Sequence, residues 1–139
     1  HGLMLRESLL GRRVHDVLST LDLFAAAGCE EVHLVGHGLG ALNATFAACL
    51  HPVVKRVTLC HALLSYHELT QAAVQSWPLS ALPMGALKEF DLPDCYRMLR
   101  RKGVSFERPW NARRRDWPRG ELRAHLKTLG MDWARVRRG

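Results

Sequence analysis

The chain has 139 residues, 47% of them hydrophobic, and a formal net charge of +7. That length suits one domain with one core, and that apolar content excludes global disorder. No run of about 18 apolar residues occurs, so no membrane span is expected.

The charge is uneven. His1 to Tyr96 holds six Lys/Arg against nine Asp/Glu, a net −3, whereas Arg97 to Gly139 holds fourteen against four, a net +10. The chain opens on His1-Gly2, with neither an initiator Met nor a signal-peptide pattern, which reads as the internal start of a fragment or of a processed chain. Cys29, Cys49, Cys60 and Cys95 are scattered, with no CxxC pair. They read as free thiols, mostly buried, in a reducing compartment, which favours the cytoplasm. The eight His form no HExxH pattern, so neither a metal nor a cofactor is expected.

Arg12 to Ala27 predicts an amphipathic helix. Val14, Val17, Leu18, Leu21 and Phe24 recur at the 3.6-residue period, and Gly28 stands where a helix stops. "EVHLVG", Glu31 to Gly36, predicts a short strand, within which His33 is a packed core or edge residue. Leu39 to Leu50, rich in Ala, predicts a helix packed closely on a sheet and ended by His51-Pro52. "KRVTLCHA", Lys55 to Ala62, predicts a second strand. Strand, helix, strand in this order implies a right-handed parallel crossover, and the two near-continuous apolar runs suggest helices over both sheet faces.

Leu63 to Trp77 predicts a loop followed by a helix. The next stretch mixes turns with a helix near Asp94 to Leu99. Gly103 to Trp110 predicts a third, short strand ended by Pro109. "NARRRDWPRG" reads as a loop, and Glu121 to Leu129 as a short basic helix. The expected class is α/β, a parallel sheet flanked by helices in three layers.

The chemistry concentrates at "LVGHGLGAL", Leu34 to Leu42. A strand feeds a turn with glycines at 36, 38 and 40, and a helix follows. A nucleophile elbow has this form: its central residue is strained, and flanking small residues relieve the strand–helix clash. The helix N-terminus aims backbone N–H groups at whatever sits there.

With "VTLCHALLSY", "DLPDCYRML" and "RPWNA" in order behind it, the stretch resembles the C-terminal half of α/β-hydrolases, nearest the acetylxylan esterase-like bacterial esterases. The resemblance covers Leu10 to Ala112. It implies a partial α/β-hydrolase-like domain over residues 1–112, with 113–139 a basic C-terminal loop and short helix. The implied ancestral chemistry is ester hydrolysis by a serine. Residue by residue, Gly36, His37, Leu39 and Gly40 fit G-x-S-x-G, but Gly38 replaces the Ser and cannot attack a carbonyl. The acid position falls on Asn111, which cannot ionise. The only His beyond it is His125, in a predicted helix, and it is not assigned. The Leu39 N–H would be one oxyanion donor; the second would come from a loop before His1.

Three other groups stand near. Ser65, with His61 and His67, offers a relocated Ser–His pair, against a simpler reading as a helix cap with Glu68 completing a capping box. His37 offers a base or ligand, against a solvent-facing turn residue. Asp91 and Asp94 offer an acid pair, against helix capping around Pro93. The expected ligand is a small anion or ester at His37 and Leu39.

Gly36, Gly38 and Ala41 also match the dinucleotide G-x-G-x-x-G/A. The ribose-binding acid is absent, because the second strand ends at Cys60-His61 and the next acidic residue is Glu68. Arg113 to Arg115 with Trp110 and Trp117 interleave cations and aromatics as nucleic-acid surfaces do, although a solvated Arg-rich region is the simpler reading. The strand Glu31 to Gly36 would be a central strand with an unpaired edge. Strands from a longer polypeptide, a missing N-terminal half or a second copy in a homo-oligomer would complete it.

Overall fold

The computed structural model describes residues 9–68 and 91–137. Beyond Glu68, the helix expected within Leu63 to Trp77 and the turns that follow it lie outside the described residues. The elements in order are α1 (Leu9–Ala26), β1 (Val32–His37), α2 (Leu39–Leu50), β2 (Val54–Cys60), α3 (Leu92–Leu99), a 3-10 turn (Arg100–Lys102), β3 (Val104–Glu107), α4 (Arg119–Thr128) and β4 (Arg135–Arg137). The four strands form one parallel sheet in the order β1-β2-β3-β4. Helices connect successive strands, so the class is α/β as the sequence predicts. No described helix is long and apolar enough to cross a membrane.

α1 ends in a Schellman turn at Gly28, where Cys29 N–H reaches Phe24 O at 3.0 Å and Gly28 N–H reaches Ala25 O at 3.1 Å. Its apolar stripe is narrower than expected. Val14 and Leu21 are buried, but Phe24 is exposed. α2 packs against α1, α3, β1 and β2, and Ala41, Ala44, Ala47 and Ala48 are buried along it. Small side chains allow that crowding, and the extended backbone of His51 ends the helix ahead of Pro52.

Register assigns the two faces of the sheet. Gly36 points at α2, because a Cβ there would strike the backbone of Gly40 and Ala41. Side chains alternate along a strand and agree across a parallel pair. Leu34, Val57, Leu59, Val104, Phe106 and Val136 therefore share the face under α2. Phe106 meets the edge of Tyr96, with centroids 4.9 Å apart, and the Tyr96 hydroxyl donates to Leu63 O. Burying a ring such as Phe106 contributes about 2–3 kcal/mol.

The opposite face carries His33, Val35, His37, Thr58, Cys60, Ser105, Glu107, Arg135 and Arg137. His33 Nε2 pairs with Thr58 Oγ1 at 2.8 Å, and Thr58 with Ser105 Oγ at 3.3 Å. That face mixes these polar residues with Val35 and the buried Cys60, so the strands are less continuously apolar than expected. His33 is the edge residue anticipated.

The region after Ala112 holds more than a loop and a short helix. Arg135–Arg137 pairs in parallel with β3, so the basic region contributes an edge strand to the same sheet. At the other edge, β1 pairs with β2 alone among the described residues.

Candidate functional site

β1 ends at His37, and the chain turns into α2 within one residue. Gly38 has φ 55 and ψ −117, a conformation that side-chained residues adopt only under strain. Its N–H donates to Cys60 O at 2.9 Å, extending the sheet ladder, and its carbonyl accepts from Ala41 N–H at 3.0 Å, opening the helix.

Gly36 is required for a different reason. A Cβ there would lie 2.5 Å from Gly40 O and 2.8 Å from Ala41 Cα. A Cβ on Gly40 would meet nothing within 4 Å, so Gly40 contributes its backbone rather than its lack of a side chain. Leu39 is the first residue of α2 and half-buried, and no described residue accepts from its N–H.

Two neighbouring strand ends reach the elbow. His61, just past β2, stacks on Trp110 with centroids 4.3 Å apart and planes 20° from parallel. His37, the exposed end of β1, has its ring 6.3 Å from that of His61. The Arg114 guanidinium sits 5.6 Å from the Trp110 centroid, within cation–π range. A side chain on Gly38 would meet Trp110 first, 4.0 Å away.

His61 is held from its backbone and its ring. Its N–H donates to Glu107 O at 2.8 Å, and Nδ1–H donates to Arg108 O at 3.1 Å, which fixes the ring's orientation. Trp110 is fixed by its N–H on Ala62 O at 3.0 Å. His61, Arg108 and Arg114 all have positive φ, at 56, 46 and 60. Three side-chained residues held this way around one site mark a region where strain is maintained by its surroundings. Arg108 helps through a two-nitrogen grip on Asp116 Oδ2 at 2.7 and 3.0 Å, which holds the Asp116 carboxyl below its usual range.

The predicted triad positions do not assemble. Asn111 Oδ1 accepts from Arg113 N–H at 2.8 Å and Arg115 N–H at 3.2 Å, so the carboxamide orders its own loop. Among the described residues, neither His37 nor His61 is hydrogen-bonded to a carboxylate. His125 lies on α4, with Nε2 on Glu68 Oε1 at 2.6 Å and its ring stacked 4.4 Å from Trp117.

The alternative groups are structural. Ser65 is buried, and its hydroxyl donates to Asp91 while accepting from His67 N–H at 3.1 Å. That is the geometry of a cap, and the His67 ring lies near the same carboxylate, with Nε2 4.0 Å from Asp91 Oδ2. Asp91 caps α3 in a reciprocal capping box with Asp94, with Pro93 in the first turn. Its Oδ1 also accepts from Tyr66 N–H and Leu92 N–H, each at 2.7 Å. Among the described residues no cluster could hold a metal ion.

Glu68 does more than complete the cap, because its carboxylate also pairs with His125. Burial pushes its carboxyl up from 4.5, opposed by His125 and the Ser65 backbone N–H. A raised carboxyl contributes stability below its unfolded value and loses it as the pH rises through the folded value. The stability advantage of the wild type over Glu68→Gln is therefore expected to shrink as the pH goes from about 4 to about 7. Thermal melts of both proteins across that range test it, and an advantage that grows with pH contradicts it.

The His61–Trp110–Arg114 stack and the Asp91 junction went unforeseen. His61 and Trp110 lie 49 residues apart in sequence, and only the β2–β3 pairing joins them. The arginines of the last third are spread over α3, the 3-10 turn, the loop after β3, α4 and β4. Several are engaged internally, as in Arg97–Asp94, Arg137–Glu107 and Arg100 over Trp133. No protein-family model, curated protein or solved structure matches the chain.

Proposed function

We propose that the chain is a degenerate α/β-hydrolase-type domain that retains the nucleophile elbow without carboxylic-ester hydrolase activity, and works as a ligand-binding or scaffold module. The carrying observation is Gly38 at φ 55 and ψ −117 between a parallel strand and a helix, with the Gly36 crossing behind it. An elbow conformation is costly, and its persistence without a serine supports descent from a catalytic turn. The buried, Asp91-bonded Ser65 and the loop-ordering Asn111 support loss of the chemistry. Small anionic or ester ligands suit the position beside His37 and the Leu39 N–H, where the N-terminus of α2 favours negative charge. Among the described residues β1 pairs with β2 alone, which supports completion of the sheet by strands of a longer polypeptide or of a second copy.

Turnover of a short-chain p-nitrophenyl ester tests the reading. Wild type and Gly38→Ser are both expected at the uncatalysed background. A serine at Gly38 would have Trp110 beside it and no carboxylate-oriented imidazole, and would strain the backbone by about 1–3 kcal/mol. Robust wild-type turnover abolished by Ser65→Ala or His37→Ala would overturn the proposal.

A further inference from the structure

Four cysteines are free thiols, and two of them meet across a helix pair. Cys49 is in the last turn of α2, and Cys95 is on the buried face of α3. The Cys49 thiol reaches the Cys95 carbonyl at 3.6 Å. The site is furnished with a cation as well. Lys102 Nζ donates to Ala48 O at 2.7 Å and His51 O at 2.9 Å, the carbonyls on either side of Cys49 in sequence.

We propose that Cys49 and Cys95 form a redox modification site, a reversible disulfide that ties α2 to α3 when the protein meets a hydroperoxide. The two thiols are unequal. The Cys95 side chain beside it lowers the Cys49 thiol's pKa, the Lys102 ammonium adds to this, and burial opposes both. The Cys95 thiol is pushed up by that same pairing and by burial. Cys49 is half-buried and Cys95 buried. Cys49 is thus the attacking sulfur and Cys95 the resolving one.

The chemistry balances. The Cys49 thiolate attacks one peroxide oxygen, the O–O bond breaks, and the departing oxygen takes a proton and leaves as water or alcohol. Cys49 becomes a sulfenic acid. The Cys95 sulfur then attacks the Cys49 sulfur, the S–O bond breaks, the S–S bond forms, and the Cys95 proton leaves with the hydroxyl as water. Two thiols have lost two electrons to the hydroperoxide, and a dithiol reductant reverses the step.

Cys60 is the internal contrast. Its thiol donates to Glu107 Oε2 at 3.4 Å, and burial and that carboxylate push its pKa up. Sulfur so placed reacts slowly.

The test uses Cys29→Ser, which removes the exposed thiol and leaves the pair native. The protein is treated with hydrogen peroxide near stoichiometry, alkylated under denaturing conditions and digested without reductant. Free thiols are expected to fall from three to one per chain, with Cys60 as the survivor. A peptide linking Cys49 to Cys95 should appear and vanish on dithiothreitol treatment. Alkylation of the untreated fold should modify Cys49 about tenfold faster than Cys60. With Cys95→Ser added, dimedone should trap Cys49 as its sulfenic acid. Oxidation of Cys49 to sulfinic acid without the cross-link, oxidation of Cys60 first, or no loss of thiol in the Cys29→Ser protein each overturns the proposal.

Discussion

Gly36→Ala is expected to destabilise the protein by about 3 kcal/mol or more, read as a lowered urea midpoint. The added methyl would sit 2.5 Å from Gly40 O and 2.8 Å from Ala41 Cα. Both are backbone atoms of the first turn of α2, so no side-chain rotation relieves the contact. The helix must lift from β1 or the strand must bend, and either movement opens a core that includes Leu42, Phe46 and Leu59. Gly40→Ala is the matched control. A Cβ there meets open space, and alanine is the better helix former by up to about 1 kcal/mol, so it should be neutral or stabilising. Equal losses for the two substitutions would mean that the strand–helix crossing is not the constraint.

Asp91→Ala is expected to cost about 2–4 kcal/mol. One carboxylate caps α3, accepts from the backbone of Tyr66 and Leu92, and receives the buried Ser65 hydroxyl. Truncation leaves those donors, which belong to the buried residues Ser65, Tyr66 and Leu92, without that partner, and their desolvation is the larger part of the loss. Asp91→Asn keeps one acceptor oxygen and should recover about half of it. A double-mutant cycle with Ser65→Ala isolates the shared contribution, which should be about 1 kcal/mol or more. Additive effects would show that Ser65 and Asp91 do not depend on each other.

The sequence carried the secondary structure well where periodicity and punctuation agreed. Leu39–Leu50 is a helix with the bounds its composition predicts, because a glycine turn and His51-Pro52 mark its ends. Asp91, Pro93 and Asp94 announced the start of α3 through capping chemistry, which acts within four residues. β4 was missed because Arg-Val-Arg has one apolar residue and offers no run to detect. The polar positions of β2 were missed because its apolar residues were counted without assigning their directions: Val57 and Leu59 point one way, and Thr58 the other.

The glycine turn between β1 and α2 was legible for a local reason, since its spacing lies within five residues. The stack above it was not. His61 meets Trp110 only through the β2–β3 register, and Arg114 only through the turn that Asn111 orders. Ser65 and Asp91 are 26 residues apart, and nothing in either local pattern names the other. Single-residue chemistry identified the capacity of each group, and tertiary pairing selected its partner.

Strand order has a kinetic consequence. In the described sheet every strand after β1 pairs with the one before it in sequence, so spatial order repeats chain order. A chain synthesised from its N-terminus presents each new strand to an edge already made. No strand must wait for a later one to be inserted between it and its partner. The slow step is then the closure between β2 and β3, where Val57 must find Val104 across the longest intervening stretch. Until it closes, the edge of β2 that β3 takes stays open. That interval is when a nascent chain of this design is most exposed to wrong partners.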